Sequence, residues 1–426
     1  MTVEAVILAG GKGTRSADPG TAKLAQVIGD ESLLGWHIRL LNDCDITQAV
    51  VVAGHLGDQV QELVDRTEIA DDHLQLEVIH EVAQNGTVAA LRLAAEQSNA
   101  NEFLVILGDI LMALTLQDFL ERWRESSKGV AVVVHPSTHP HDSDAVCLQR
   151  DGGVLVVPKS QPRDHIPNMS SAGLFAITRD ALLRYTDCRD FGSDVLPASA
   201  DQEDLFAYVT SHYLKDTGTA ERLEAARRDV VSGAFSCRGS LAPRPALFLD
   251  RDGVINPSDP EFYGPEHYRL NVGVALAIGE ANAAGIPVLV VTNQPHIAKG
   301  LMTFEDHERV RARMDRLLGQ FGAFVDDYYY CPHHPDGGFD DEVAELKVVC
   351  ECRKPGAAMA YSAAKHHHID LSRSVMVGDT DRDQGLAEAT GMRFVRVGAD
   401  PRDLDAPDCF SDPAEAIRRG IEMSTC

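Results

Sequence analysis

A chain of 426 residues has room for two or three domains of the usual ~100 to 200 residues, and two are expected here. With 44% hydrophobic and 24% charged residues it has the composition of a compactly folding globular protein. Its formal net charge of -26 excludes a broad basic groove for nucleic acid, so anionic ligands have to be met locally, by bound metal ions or by backbone amides at helix N-termini.

The first residues, MTVEAVILAGG, enter a strand pattern without a signal-type apolar core, and no later apolar run nears the ~20 residues of a membrane span. No membrane partner is expected, and the expected location is the cytoplasm. Val/Ile/Leu-rich runs then alternate with helical patterns: AVILA, AVVVAG, FLVILGD and VAVVV in the first half, ALFLD, PVLVVTN and SVMVGD in the second. Continuous apolar strands of this kind suit parallel sheets covered on both faces, so the fold class is α/β with two doubly wound domains. Residues 229–245 break the periodicity and gather Gly, Ser and Pro, which places a boundary near Gly239. The expected domains are 1–235 and 245–426, joined by a linker at 236–244.

In the first half, AVILAGGKGTR reads as a strand followed by a glycine-rich turn whose amides can wrap a triphosphate, with Lys12 and Arg15 adding charge. Lys23, EVAQNGTVAALRLA, FLVILGD ending in Asp109, SAGLFAI and LKDTGT with Asp216 follow in order. This series, over residues 3 to about 228, resembles the sugar-phosphate nucleotidyltransferases, whose nucleotide-binding domain is Rossmann-like. The resemblance implies that Gly10, Gly11, Gly13 and Arg15 bind nucleotide phosphates, with Lys23 among the catalytic groups. It places Gly86 and Thr87 against the nucleoside, has Asp109 and Asp216 hold Mg2+, and has Lys159 grip the sugar phosphate. TAKLAQV around Lys23, Pro158 and Ser171 depart from the family's usual residues.

In the second half, ALFLDRDGVIN puts Asp250 and Asp252 just past a buried strand, where open α/β sheets bind ligands. Two carboxylates spaced i, i+2 also suit a plain turn with a cap. Three further segments decide between these: VVTNQ with Thr292 and Asn293, CRKP with Arg353 and Lys354, and VMVGDTDRD with Asp379 and Asp383. Together the four segments, over roughly 245–400, resemble the haloacid dehalogenase superfamily of phosphatases. The resemblance implies Asp250 as nucleophile, Asp252 as general acid and base, and Thr292 and Lys354 on the phosphoryl oxygens. It implies Mg2+ held by Asp250, Asp252 and Asp379 with Asp383 as a brace.

Cys331 and His333 in a C-x-H, then Cys350 and Cys352 in a C-x-C, make a three-sulfur, one-nitrogen set suited to tetrahedral zinc. His334 competes with His333 for the nitrogen position. Nine cysteines is an odd count, and with these three in metal-like spacing a reduced compartment is expected rather than a disulfide framework. The run His366 to His368 reads as a solvated helix face.

CPHHPDGGF, CECRKP and VTNQPHIAKG resemble the D,D-heptose 1,7-bisphosphate phosphatases and the related histidinol phosphatases, and the long loop after His334 favours the heptose enzymes. Pro295 and His296 depart from the small residues usual after VTNQ. Removing the C7 phosphate from heptose 1,7-bisphosphate leaves heptose 1-phosphate, the kind of acceptor a nucleotidyltransferase activates. The expectation is therefore a bifunctional enzyme of nucleotide-activated heptose synthesis, resembling D-glycero-D-manno-heptose 1-phosphate guanylyltransferases in its first half. GTP is the favoured nucleoside triphosphate, with ATP open. Two alternatives also stay open: a histidinol-phosphate-type phosphatase, and a phosphatase with a silent nucleotide-binding regulatory half.

Overall fold

Strands rich in Val, Ile and Leu bury both faces in the computed structural model, which describes residues 3–11, 20–44, 46–67, 74–83, 85–137, 143–163, 165–258, 264–398 and 407–424. These residues divide into two compact units. The first is built from Met1–His135, His141–Gln161 and Met169–Phe235, the second from Pro136–Pro140, Pro162–Asn168 and Ser236–Cys426.

In the first unit, strand Val3–Ala9 runs parallel between Gln48–Ala53 and Glu102–Leu107, and Gln75–His80 lies outside Gln48–Ala53. Alternate side chains serve opposite cores, as the two-residue period of a strand requires. Ala5 and Ile7 pack with Leu34 and Ile38 of helix Leu33–Asn42 and with Phe119 and Trp123 of helix Leu116–Ser126. Val6 and Leu8 pack with Val88 and Leu91 of helix Thr87–Glu96. The nine-stranded sheet is not parallel throughout: Ser170–Thr178 runs antiparallel to both Glu102–Leu107 and Val130–His135. A separate antiparallel pair, Ile110–Ala113 with Tyr213–Asp216, sets Asp216 opposite Ile110.

The six strands of the second unit are all parallel, in the order Asp327–Cys331, Val288–Asn293, Leu247–Leu249, Val375–Gly378, Arg393–Val397, Cys409–Phe410. The chain starts at Leu247–Leu249, winds outward to one side, and then returns to build the other. The switch point thus lies between Leu247–Leu249 and Val375–Gly378, where a crevice opens beyond the strand ends. Val274–Ala283, Phe304–Gly319 and Pro413–Met423 cover one face through Ile278, Val310 and Ile417. Ala358–His367 and Asp381–Thr390 cover the other through Met359, Ala363 and Leu386.

Three local expectations are corrected. The stretch 236–244, read as a linker, begins inside helix Ala234–Arg238 and holds two buried arginines. Arg238 pairs with the buried Asp326 at 2.5 Å, and the backbone of Arg244 bridges to Ile369, so this stretch is anchored in the second unit. The run His366 to His368 is not wholly solvated: His367 is buried and its Nε2 lies 3.0 Å from Asp327 Oδ2, whereas His366 is exposed. Finally, Cys237 is disulfide-bonded, while seven other cysteines are free.

Candidate functional site

Because three neighbouring parallel strands end together, their following residues converge. Asp250 follows Leu247–Leu249, Thr292 and Asn293 end Val288–Asn293, and Asp379 follows Val375–Gly378. Asp250 is held in place by its amide, which donates to the Val377 carbonyl at 3.0 Å.

Lys354 reaches this point from the opposite direction. Its Nζ lies 2.9 Å from Asp250 Oδ2 and 2.6 Å from Asp383 Oδ1, and donates to the carbonyl of Val291, beside Thr292, at 2.9 Å. Asn293 clamps the Lys354 backbone from both sides: Oδ1 accepts its amide at 2.9 Å and Nδ2 donates to its carbonyl at 3.2 Å. Asp383 has a second task. With Thr380 it closes the capping box of helix Asp381–Thr390, its Oδ2 accepting from the Thr380 amide and hydroxyl at 3.0 and 2.6 Å. Helix start and the anchor of Lys354 are thus one residue.

Asp250, Asp379 and Asp383 offer ligand atoms within 4.8 Å of one another, and Asp379 Oδ1 is buried without a hydrogen-bond partner among the described residues. Gly253, at φ +89°, gives the turn its left-handed residue, and a Cβ there would run into the Asp379 carboxylate. Crowded carboxylates, an orphaned buried oxygen and a cradle free of side chain fit a divalent cation with oxygen ligands. Burial pushes the Asp250 carboxyl up to about 7, against the opposing pull of Lys354 and with help from Asp383 and Asp252. Burial, then Asp383, raises Asp379 to about 6.

Asp252 behaves oppositely. Burial pushes its carboxyl up, but Arg251, Asn256 and Gln294 together outweigh that and hold it below the ordinary range. Arg251 donates to Asp252 from Nε and Nη2 at 2.9–3.1 Å, Asn256 Nδ2 at 3.0 Å and Gln294 Nε2 at 2.8 Å. None of these three partners was singled out as a site residue from the sequence. The available signals were an arginine set between two aspartates in DRD, the asparagine closing DGVIN, and the glutamine of VTNQ.

The cysteines close a tetrahedron. Cys352 Sγ lies 3.3 Å from both Cys331 Sγ and Cys350 Sγ, and 3.2 Å from His333 Nδ1; Cys331 Sγ lies 3.6 Å from Cys350 Sγ and from His333 Nδ1. These edges approach the about 3.8 Å expected between sulfurs bound at 2.3 Å to one tetrahedral zinc, so the set could hold that ion. His333 rather than His334 faces the cluster, since His334 Nδ1 accepts from the Asp336 amide at 3.2 Å. Arg353 Nη1 donates to the His333 carbonyl at 3.2 Å, tying the C-x-C arm to the C-x-H arm immediately before Lys354.

In the first unit a second convergence forms. Lys23 Nζ is 2.5 Å from Asp109 Oδ2, and a Cβ on Gly218 would stand 2.9 Å from Asp216 Oδ1 and 3.2 Å from Asp109 Oδ2, so the two carboxylates flank one glycine. Thr217 secures them: its amide and hydroxyl donate to the Asp109 carbonyl at 2.8 and 2.9 Å. Asp216 also pairs with Arg222. Gly11 lies beside Lys23, and Gly10 beside Glu81. Lys12, Gly13 and Arg15 lie outside the described residues. Gly86, at φ +101°, backs onto Arg189, and the Thr87 hydroxyl donates to Asp190 Oδ2 at 3.0 Å and accepts from the Phe191 amide at 2.7 Å. Both therefore brace a neighbouring segment of their own unit. Lys159 follows strand Val154–Val157, its amide on Asp144 Oδ1 at 2.8 Å.

Comparison with known proteins agrees with this division. Residues 5–188 match the MobA-like NTP transferase domain, and residues 351–410 match the HAD-hydrolase-like family. Among curated proteins, the D-glycero-beta-D-manno-heptose-1,7-bisphosphate 7-phosphatase of Rhodopseudomonas palustris is 39% identical over 165 residues, which is 39% of this chain and 89% of that protein. Among solved structures, the D,D-heptose 1,7-bisphosphate phosphatase of B. bronchiseptica, complexed with magnesium and phosphate, is 29% identical. It covers 42% of this chain and 98% of its own, with a TM-score of 0.36. HddC from Yersinia pseudotuberculosis, complexed with GMP-PN, is 21% identical and covers 53% of this chain and 99% of its own, with a TM-score of 0.44.

Fold and sites define an enzyme of two parts, a nucleotidyltransferase and a HAD-type phosphatase. Through its C-terminal half the chain belongs to the D-glycero-beta-D-manno-heptose-1,7-bisphosphate 7-phosphatase family. Among the described residues, no helix is long and apolar enough to cross a membrane.

Proposed function

We propose that the two halves perform consecutive reactions on one sugar: the phosphatase removes the C7 phosphate of D-glycero-D-manno-heptose 1,7-bisphosphate, and the transferase activates the resulting heptose 1-phosphate. The observation that carries this reading is the meeting of Asp250, Lys354, Asp379 and Asp383 at one strand-end crevice, in a chain that also carries an NTP transferase domain.

In the phosphatase, an Asp250 carboxylate oxygen attacks the C7 phosphorus and the bond to the sugar oxygen breaks. Asp252, which stands ionised without substrate and has to take up a proton before this step, supplies that proton to the sugar oxygen and then takes one from the water that hydrolyses the aspartyl phosphate. Lys354 and the Thr292 hydroxyl meet the phosphoryl oxygens as charge moves. Asp250, Asp379 and the Asp252 carbonyl would hold Mg2+, with Asp383 bracing them, and the ion would offset repulsion between the carboxylates and the phosphate. Zinc held by Cys331, His333, Cys350 and Cys352 would be structural, since all four positions would come from the protein.

In the transferase, an oxygen of heptose 1-phosphate attacks the α-phosphorus of a nucleoside triphosphate and pyrophosphate leaves, with Asp109 and Asp216 as the residues to hold Mg2+ and Lys23 beside them. GTP is the proposed nucleotide. We assign the transferase to 1–235 and the phosphatase to 236–426, and the protein to the cytoplasm.

The test is incubation with heptose 1,7-bisphosphate and each nucleoside triphosphate in turn, with phosphate and pyrophosphate assayed separately. Asp250→Asn should abolish phosphate release and spare pyrophosphate release from heptose 1-phosphate, and Asp109→Asn should do the reverse. Absence of pyrophosphate with every nucleotide would overturn the bifunctional reading. Hydrolysis of histidinol phosphate in preference to the heptose bisphosphate would overturn the substrate.

A further inference from the structure

Gln294 is completely buried and stands between the two groups that handle the proton and the phosphate. Its carboxamide has one acceptor and two hydrogens, and all three are committed. Arg251 Nη2 donates to Oε1 at 3.0 Å; Nε2 donates to Asp252 Oδ2 at 2.8 Å and to Thr292 Oγ1 at 2.9 Å. The orientation of the amide follows from chemistry alone. A guanidinium can only donate and an ionised carboxylate can only accept, so oxygen must face Arg251 and nitrogen must face Asp252. Arg251 is itself fixed, with Nη1 on the Tyr328 hydroxyl at 3.2 Å, and that hydroxyl lies 3.2 Å from His307 Nε2.

The consequence falls on Thr292. An amide nitrogen has no lone pair to offer, so in its bond with Gln294 the Thr292 oxygen is the acceptor. The hydroxyl hydrogen must then point elsewhere, and among the described residues it meets no acceptor. Thr292 is itself buried, at the end of the strand beside Asp250, and Lys354 Nζ bonds the preceding carbonyl. The unused hydrogen is therefore reserved for an anion arriving between Asp250 and Lys354.

We propose that Gln294 is a positioning residue that, locked by Arg251, sets the hydrogen-bond polarity of Thr292 so that its hydroxyl donates to the phosphoryl group. This rests on the phosphatase reading above and adds to it a residue that touches neither substrate nor metal. Replacing nitrogen by oxygen in Gln294→Glu inverts the polarity. Whether that carboxyl is ionised or gives its proton to Asp252, the oxygen facing Thr292 only accepts, and the hydroxyl turns toward it and away from phosphate.

The experiment measures competitive inhibition by inorganic phosphate in the full-length, Mg2+-supplied enzyme, with p-nitrophenyl phosphate as reporter. In the Thr292 enzyme, Gln294→Glu should raise the phosphate inhibition constant about tenfold, the scale of one charge-assisted hydrogen bond. In a Thr292→Val background the shift should be about tenfold smaller, leaving only what the added charge itself contributes, and in Thr292→Ser the full sensitivity should return. Any repulsion from added charge is present in all three backgrounds and cancels in the comparison. Equal shifts with and without the hydroxyl, or no shift in either, would overturn the proposal. Gln294→Met, which carries no charge, serves the same comparison if Gln294→Glu does not fold; it should show the smaller coupling expected when polarity is released rather than inverted. Failure of the wild type to release phosphate from heptose bisphosphate would instead count against the substrate reading and leave this comparison intact.

Discussion

Stripping the metal from the cysteine cluster should weaken the phosphatase without silencing it, and the structure sets the size of the effect. The perturbation is Cys352→Ala, or chelation followed by resupply of Mg2+ alone. Cys352 Sγ closes three edges of the tetrahedron, and Arg353 and Lys354 follow it directly in the chain. Losing the metal frees the long loop from His334 to Val349 and the approach of Lys354 to Asp250. A displacement of about 1 Å at a catalytic group costs roughly a hundredfold in rate.

The loss is limited by Asn293, whose amide holds the Lys354 backbone by bonds of 2.9 and 3.2 Å that do not involve the cysteines. At about 1 kcal/mol each, these two bonds retain about 2 kcal/mol of positioning. The expected fall in phosphate release is therefore tenfold to a hundredfold, and combining the metal loss with Asn293→Ala should deepen it by roughly a further thirtyfold, since about 1.4 kcal/mol corresponds to a factor of ten. Pyrophosphate release by the other half is the internal control and should not change. A metal-free enzyme with undiminished phosphate release would refute the reasoning, as would a loss shared equally by both activities.

Three other perturbations test separate parts of the second unit. Gly253→Ala introduces a Cβ into the Asp379 carboxylate at a backbone φ of +89°, so the Mg2+ concentration needed for half-maximal phosphate release should rise at least about tenfold; unchanged Mg2+ dependence would contradict the cradle. Burial pushes the Asp327 carboxyl up, but the bond and charge of His367, with Arg311, outweigh it and hold the group well below the carboxylate range. A depressed folded-state pKa contributes stability that is present above the unfolded value of about 3.9 and lost as pH falls below it. The melting temperature should therefore drop more steeply on acidification below about pH 4 in the wild type than in Asp327→Asn, and parallel profiles would argue against this pair. Among the described residues, Arg238→Met leaves the buried Asp326 carboxylate with the Val288 amide as its donor, and urea unfolding of the phosphatase unit should show a loss of about 3 to 5 kcal/mol.

How much of this could be read beforehand depends on where each group sits in the chain. Asp250, Thr292, Lys354 and Asp379 could be picked out because each ends or follows a strand or follows a metal-spaced cysteine pair, where type and position point to the chemistry. Arg251 and Gln294 were not, because their work lies in contacts 77 and 43 residues away, with Tyr328 and with each other, which no local pattern announces. His367 failed for the opposite reason. Three adjacent histidines look alike in sequence, yet of the three only His367 is buried against the sheet, where Asp327 is available to receive it. The linker was misjudged on composition: Ser, Gly and Pro marked the break, but Arg238 and Arg244 within it have buried partners far along the chain. In the first unit, the antiparallel strand Ser170–Thr178 was hidden because an apolar run buried on both faces carries no sign of its direction.

The acidity of the chain bears directly on how its phosphatase site works. Asp250, Asp379 and Asp383 lie within 4.8 Å of one another, and Lys354 is the cation bonded to two of them. Three ionised carboxylates against one ammonium leave the cluster at minus two, which would repel a phosphate before it reached the nucleophile. The same crowding shows in the proton affinities, since burial and the neighbouring carboxylates raise Asp250 to about 7 and Asp379 to about 6. A protonated Asp250 is a poor nucleophile. A divalent cation in the cradle beside Gly253 would address both difficulties: it would neutralise the cluster and lower the proton affinity of its ligands, leaving Asp250 ionised when the substrate arrives. Asp252 needs no such help, because Arg251 is paired with it directly. On the mechanism proposed above, Asp250 and Asp252 would thus be kept charged by different means, one by a divalent cation and one by a buried arginine, although a single residue separates them in the chain.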